Sequence, residues 1–91
     1  MGAHDGPSPN TKFTLVGSRP QKHSLTLKGH RTSVSLEDAF WAEFRMIADR
    51  RQRSVNVLAA EIDALRGTSM GLASAMRLFI LDDLKQRLGG R

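Results

Sequence analysis

The sequence predicts a small, mainly helical protein with one short β-strand per chain, which pairs with the same strand of a second copy. Three observations lead to this expectation: a short alternating apolar stretch, three amphipathic helical stretches after it, and a short chain. At 91 residues the chain makes one domain at most, and a domain of this size buries only a modest fraction of its surface. Oligomerisation, a metal or disulfides usually add stability in such cases.

Disulfides are excluded because the chain has no cysteine. The three histidines, His4, His23 and His30, are too scattered for a metal-binding pair on one helix face. We therefore expect no metal and no cofactor. Oligomerisation remains as the source of extra stability, so we expect an obligate homodimer.

Charge is unevenly distributed along the chain. The net charge is +5, and residues 1–36 carry five basic side chains (Lys12, Arg19, Lys22, Lys28 and Arg31) against a single acid. Residues 37–91 carry nine basic and eight acidic side chains, so this part is close to neutral. A basic N-terminal portion on a near-neutral body indicates either a polyanion partner or a solvated basic tail.

The first 22 residues have the composition of a flexible arm, and residues 23–91 are predicted to form the domain. The arm holds all three prolines together with Gly, Ser and Asn. Within it, Lys12–Val16 alternates polar and apolar side chains and could form a short strand. No stretch is long and apolar enough to span a bilayer, and no signal peptide is evident, so we expect a cytoplasmic protein.

Two short alternating stretches precede the helices, at residues 24–28 and 32–36. The leucines of the first stretch stand at odd positions, whereas the apolar side chains of the second stand at even positions. A flat continuous strand cannot change parity, because a one-residue slip sends its side chains to the opposite face. Gly29 lies at the change, so the stretches are either one kinked strand or two strands joined there. We expect the main strand at about residues 31–36, with its polar face made of Arg31, Ser33 and Ser35.

Helices are predicted at about residues 37–51, 54–66 and 72–88. The stretch Ser35–Asp38 resembles a capping box at the start of the first helix, and Ser54 is a good N-cap for the second. The helical spacing of the aromatic residues points them into the core; these are Phe40, Trp41 and Phe44.

The third helix has an apolar face wider than one partner helix would cover, because Leu78 and Leu81 extend it. This face is either part of a dimer core or a docking surface for another protein.

The charged residues of the body have ordinary structural explanations. Arg50, Arg51 and Arg53 end the first helix, where cations compensate the helix dipole, and Arg53 has phosphate contact as a second possible role. We interpret the acids as surface and capping residues: Glu37, Asp38, Glu61, Asp63, Asp82 and Asp83. They form no catalytic set, and no nucleophile–base pair is evident, so we do not expect an enzyme.

A paired strand would present Arg31, Ser33 and Ser35 once from each chain. A two-stranded ribbon fits the major groove of DNA, where arginine pairs bidentately with guanine and serine contacts most bases. Ser35 is divided between base contact and its role in the helix cap.

Residues 31–65, RTSVSLEDAFWAEFRMIADRRQRSVNVLAAEIDAL, resemble the ribbon-helix-helix repressors of the Arc and MetJ type. More narrowly, GHRTSVSLEDAFW followed by LASAMRLFIL resembles an uncharacterised bacterial subfamily of these proteins. The resemblance implies an intertwined homodimer with an antiparallel two-stranded ribbon that binds double-stranded DNA. We expect it to bind as a dimer or as adjacent dimers that form a higher oligomer on DNA. It implies base contacts from Arg31, Ser33 and Ser35. It also implies a phosphate clamp at the start of the second helix, formed by the backbone N–H groups of Val55 and Asn56 after Ser54. Beside this clamp, we expect phosphate contacts from Lys28 and Arg53, whereas His30 either contacts phosphate or merely occupies the turn.

The sequence departs from this family in two places. Members often have a glycine where the first helix ends, whereas this chain has Gln52. The third helix lies beyond the minimal fold, so its purpose is not inherited.

These observations together predict a sequence-specific transcriptional regulator, such as a repressor, associated with the nucleoid. The alternative is a protein-interaction module such as the DNA-binding antitoxin of a toxin–antitoxin pair.

Overall fold

The computed structural model describes residues 19–89, which form a two-stranded antiparallel sheet followed by three helices. The elements are β1 (Gln21–Leu27), β2 (His30–Leu36), α1 (Asp38–Arg50), α2 (Val55–Leu65) and α3 (Leu72–Gly89). The predicted class, mainly helical with an antiparallel two-stranded ribbon and an additional C-terminal helix, is confirmed. The possible strand at Lys12–Val16 lies outside the described residues.

The ribbon is formed within one chain, which corrects the expectation of a single strand per chain. β1 pairs with β2 in a register that sets Leu25 opposite Thr32 and His23 opposite Val34. Lys28 and Gly29 form the connecting turn with φ values of 52° and 86°, which is the type I′ geometry that matches the twist of a two-residue hairpin. Such a turn pairs odd positions with even ones, so the parity change at Gly29 marks a hairpin.

The hairpin also begins before the predicted domain boundary. Gln21 and Lys22 belong to β1, whereas the sequence assigned them to the N-terminal arm. The pairing explains the difference, because Gln21 lies opposite Leu36 and Lys22 opposite Ser35, so both are needed to match the full length of β2.

One face of the ribbon packs on the helices and forms the core with them. The largest buried side chains come from both strands and all three helices: Leu25, Leu36, Phe44, Ile47, Leu58 and Met76. Trp41 is half-buried at the edge of this core, and its ring stacks on that of His23 with 4.0 Å between centroids and 9° between planes. The ribbon is therefore held on the helices by apolar burial and by this ring contact.

Helix α1 begins later than the capping-box pattern predicts. Its N-cap is Glu37, which makes no side-chain cap hydrogen bond. Ser35 remains in β2 because the strand must continue to Leu36, which is completely buried. The carboxylate of Glu37 instead accepts hydrogen bonds from Arg77 of α3 at 3.0 and 2.9 Å, so it ties the start of α1 to α3.

Asp83 is buried, although the sequence placed it among the surface and capping acids. Its side chain is 9% exposed and accepts hydrogen bonds from Arg51 at 2.8 Å and from Arg87 at 2.9 Å. Arg50 lies 3.5 Å away, and the Arg51 guanidinium also lies 4.9 Å from the centre of the Phe79 ring. The arginines at the end of α1 therefore join α1 to α3 in addition to compensating the helix dipole.

The end of α1 forms a Schellman motif around Gln52. The N–H of Arg53 donates to the carbonyl of Ala48, and the N–H of Gln52 donates to that of Asp49. Gln52 has a φ of 56°, the left-handed conformation in which glycine is favoured. This is the position at which the sequence departs from the family, so the turn keeps its form without glycine and at the cost of a strained residue.

Candidate nucleic-acid interface

The ribbon face that points away from the helices is entirely polar. The register brings six side chains to it in three cross-strand pairs: Lys22 with Ser35, Ser24 with Ser33, and Thr26 with Arg31. All are exposed except Thr26, which is half-buried. We call these six residues the outer ribbon face. The three residues predicted to contact bases, Arg31, Ser33 and Ser35, lie here together.

The outer ribbon face carries positive charge that no carboxylate neutralises. Within residues 19–89, neither Lys22 nor Arg31 has an acidic partner within ion-pair distance. The arginines that follow in the helical body are nearly all paired with acids: Arg50, Arg51, Arg53, Arg66, Arg77 and Arg87. Only Arg45 departs from this pattern in the described part of the body. Lys85 of α3 is also without an acidic partner within residues 19–89, so the unneutralised positive charge lies mainly, but not only, on the ribbon.

The start of α2 presents two backbone N–H groups without a protein acceptor among residues 19–89. The Ser54 hydroxyl accepts from the N–H of Val57 at 3.0 Å, which confirms the predicted N-cap. The N–H of Leu58 donates to the carbonyl of Ser54. This leaves the N–H groups of Val55 and Asn56, and such groups at a helix N-terminus favour anions.

A side-chain hydrogen bond attaches this helix end to the ribbon. The Asn56 side-chain oxygen accepts from the N–H of Thr26 at 3.0 Å. In an antiparallel pair the backbone groups of alternate residues point away from the partner strand, and Asn56 satisfies one such group on β1. Because Thr26 belongs to the outer ribbon face, the two free N–H groups of α2 stand beside that face.

Two arginines lie near the same helix end. Arg45 and Arg53 line a cleft between α1 and the start of α2, together with Ser54 and Val55. Arg53 is paired with Glu61 at 3.2 Å, and both side chains are about half exposed. An exposed ion pair of this kind contributes little stability, so Arg53 can exchange Glu61 for another anion at small cost.

The two predicted phosphate contacts at the tip of the hairpin point in different directions. Lys28 is exposed in the turn and has no carboxylate partner in the described part of the chain. His30 is exposed too, but the register sets it opposite Leu27, on the ribbon side that faces the helices. There it lines a cleft with Asp63 and Arg66.

Four basic or polar residues of this surface were missed from the sequence: Lys22, Ser24, Thr26 and Arg45. The first three were missed because β1 was not paired with β2. The turn chemistry could have revealed them, because a parity change across a two-residue turn that ends in glycine indicates a hairpin. Arg45 carries no comparable signal, since its lack of an acidic partner is a property of the folded chain.

The described residues offer neither a metal site nor a membrane-spanning element. No group of three or more His, Asp or Glu side chains within residues 19–89 is arranged to hold a metal ion. None of the helices in this part of the chain is long and apolar enough to cross a membrane.

The fold and this surface define a small protein in which an antiparallel ribbon precedes three helices, with an anion-favouring helix end beside the ribbon. Comparison with known proteins agrees, since a family model described as ribbon-helix-helix domain matches residues 20–84. The chain belongs to the ribbon-helix-helix family. Members are typically DNA-binding transcription regulators or antitoxins, and they bind DNA as dimers. No curated protein and no solved structure matches the chain.

Proposed function

We propose that this protein is a sequence-specific transcriptional regulator that reads the major groove of double-stranded DNA with its outer ribbon face. The observation that carries the proposal is the placement of unneutralised Lys22 and Arg31 among serine and threonine side chains, while nearly every arginine of the helical body is paired. The major groove is about 12 Å wide and admits a two-stranded ribbon. A protein bound to bacterial DNA in this way would be associated with the nucleoid.

Base recognition is assigned to the central part of the outer ribbon face. Arg31 has the planar, bidentate donor geometry that matches the O6 and N7 atoms of guanine. Ser33 and Ser35 have short hydroxyl side chains that donate to or accept from neighbouring base edges. Ser35 is available for this role because Glu37, and not Ser35, occupies the N-cap of α1.

Phosphate contacts are assigned to the residues that flank this face. The N–H groups of Val55 and Asn56, beside the Ser54 cap, would hold one phosphate where the dipole of α2 favours negative charge. Lys28 at the hairpin tip and Arg53 at the start of α2 would approach neighbouring phosphates as cations. We leave His30 out of this set, because it lies on the helix-facing side of the ribbon near Asp63.

The proposal is tested by selecting bound fragments from a random duplex pool with purified protein. We expect one enriched sequence whose affinity falls steeply with salt, because neutralised phosphates release counterions. Recovery without sequence preference would contradict the proposed function and indicate a nonspecific architectural binder. Purification with a stoichiometric second protein would instead favour the antitoxin alternative.

A further inference from the structure

An open cleft lies between α2 and the edge of β1 that faces away from β2. The cleft has a volume of about 400 Å³ and is lined by Val57, Ala60 and Ala64 on the helix side and by Thr26 and Lys28 on the ribbon side. Val57 is 46% exposed there. Because side chains do not fill this space, apolar packing along the cleft does little to fix the lateral distance between β1 and α2.

The packing that holds β1 acts mainly in another direction. Leu25 and Leu27 are buried beneath the ribbon, and the ring of His23 stacks on that of Trp41. Side chains of a strand stand roughly perpendicular to the sheet, so these contacts hold β1 down onto the helices. They oppose a shift within the plane of the sheet, toward α2 or away from it, much less.

One hydrogen bond joins β1 to α2 at this cleft. The Asn56 side-chain oxygen accepts from the N–H of Thr26 at 3.0 Å. No other hydrogen bond within residues 19–89 connects the ribbon to α2. Thr26 lies directly opposite Arg31 in the register of the hairpin. The bond therefore links the start of α2 to the cross-strand pair that contains the arginine assigned to base recognition.

We propose that the Asn56 side chain is a positioning residue for sequence recognition, which sets the distance between the base-reading ribbon and the phosphate-binding end of α2. The inference rests on the proposed function, to which it adds a role for a side chain that itself contacts neither base nor phosphate. The backbone N–H of Asn56 belongs to the helix end assigned to a phosphate, so that phosphate is the reference point. The hydrogen bond carries this reference to Thr26 and, through the cross-strand pair, to Arg31.

The two kinds of DNA contact differ in the displacement that they tolerate. A bidentate pair between Arg31 and guanine needs donor–acceptor distances of about 2.7–3.2 Å, so a shift of the ribbon by roughly 1 Å breaks it. The attraction between a cation and a phosphate decays over roughly 8–10 Å at ordinary salt and survives the same shift. Loss of the Asn56 hydrogen bond should therefore reduce discrimination between sequences more than it reduces general attraction to DNA.

The hydrogen bond is tested without DNA by amide hydrogen exchange of the full chain, measured by NMR. In Asn56→Ala the exchange rate of the Thr26 N–H should rise by roughly two- to tenfold, the range expected for one such bond. Asn56→Asp keeps an acceptor oxygen of the same reach, so its rate should not exceed that of the wild type. The Leu25 N–H lies in the β1–β2 ladder and should stay protected in both variants, which establishes that the hairpin is folded. An unchanged Thr26 rate in Asn56→Ala would overturn the proposal.

The role in recognition is tested by the affinities of each variant for the selected duplex and for a scrambled duplex of equal length. Asn56→Ala should lower the ratio of these affinities by roughly five- to tenfold, which is part of the value of a bidentate base contact. The slope of log affinity against log salt should not change, because no cation is removed. A variant that was merely destabilised would bind both duplexes more weakly and keep the ratio.

Two further variants serve as controls in the same assay. Asn56→Asp should keep the ratio and weaken both duplexes alike, because its carboxylate retains the bond to Thr26 but repels the nearby phosphate. Val57→Ala should keep both the ratio and the salt slope, since Val57 lines the same cleft but its side chain forms no hydrogen bond. A loss of ratio in Val57→Ala equal to that in Asn56→Ala would show that the cleft, and not the hydrogen bond, positions the ribbon.

The positioning role and the proposed function can fail in distinguishable ways. If the wild-type protein prefers the selected duplex and Asn56→Ala keeps the wild-type ratio, the positioning role is overturned and the proposed function stands. If the wild-type protein binds every duplex alike, the proposed function is overturned and the positioning role with it.

Discussion

Replacement of Asp83 by asparagine should destabilise the folded chain by about 2 kcal/mol. Removing one partner of a buried ion pair costs roughly 3–5 kcal/mol because the remaining charge is left uncompensated. Here the carboxylate is 9% exposed, but its arginine partners are 38–43% exposed and stay hydrated after the change. Solvent screening therefore reduces the expected loss to about 2 kcal/mol.

The loss can be measured by urea unfolding monitored by the fluorescence of Trp41, the single tryptophan. A loss of this size corresponds to a decrease in melting temperature of about 10 °C for a domain of this length. Protein concentration is held constant, because any association between chains would add to the apparent stability. Glu61→Gln is the matched control, since Glu61 is paired with Arg53 at the surface, and it should change the unfolding free energy by about 0.5 kcal/mol or less.

The difference between Asp83→Asn and the wild type should also depend on pH. Burial raises the pKa of the Asp83 carboxyl, but hydrogen bonds from Arg87 and Arg51 outweigh this effect and hold its pKa below the usual range. A lowered pKa in the folded state contributes stability that is complete above the unfolded pKa of about 4 and is lost as pH falls through the folded value. The difference should therefore be constant near neutral pH and shrink below about pH 4. A variant as stable as the control at pH 7, or a difference that grows in acid, would refute this reasoning.

Three further predictions concern the turns and caps. Gln52→Gly should raise the unfolding free energy by about 0.5–1 kcal/mol, because glycine adopts the left-handed conformation without strain. Thermal unfolding measures this gain, and the control variant Gln52→Ala should show none. Gly29→Ala should destabilise the hairpin by about 1–2 kcal/mol. The cause is the φ of 86° alone, since nothing lies within 4 Å of the added carbon. An equal loss for Gly71→Ala, where φ is not positive, would show that the positive φ is not the cause. Ser54→Ala should cost about 1 kcal/mol in urea unfolding by leaving the Val57 N–H without its acceptor, and Ser54→Thr should retain most of the stability.

Much of the helical part could be predicted from the sequence, because its signals are local. Apolar spacing indicated all three helices, and Ser54 indicated the start of α2. The ribbon was only partly predictable, since the choice between a kinked strand and a hairpin at Gly29 depends on whether β1 and β2 pair within the chain. The role of Asp83 could not be predicted, because its burial depends on arginines 32 and 33 positions away at the end of α1.

The residues of the candidate site were likewise predictable only in part from the sequence. Arg31, Ser33 and Ser35 could be placed on one face from strand alternation alone. Their partners Lys22, Ser24 and Thr26 required the register of the hairpin. The hydrogen bond from Thr26 to Asn56, which brings the start of α2 beside the ribbon, connects segments 30 residues apart and has no sequence signal.

The most direct test of the proposed function is the ratio of affinities for a selected duplex and a scrambled duplex of equal length. Arg31→Ala should weaken binding to the selected duplex by about 1–3 kcal/mol and flatten this ratio, because it removes a bidentate base contact. Arg53→Ala, assigned to phosphate, should weaken both duplexes alike and leave the ratio unchanged. If Arg31→Ala retains the wild-type ratio, the outer ribbon face does not read the sequence of DNA.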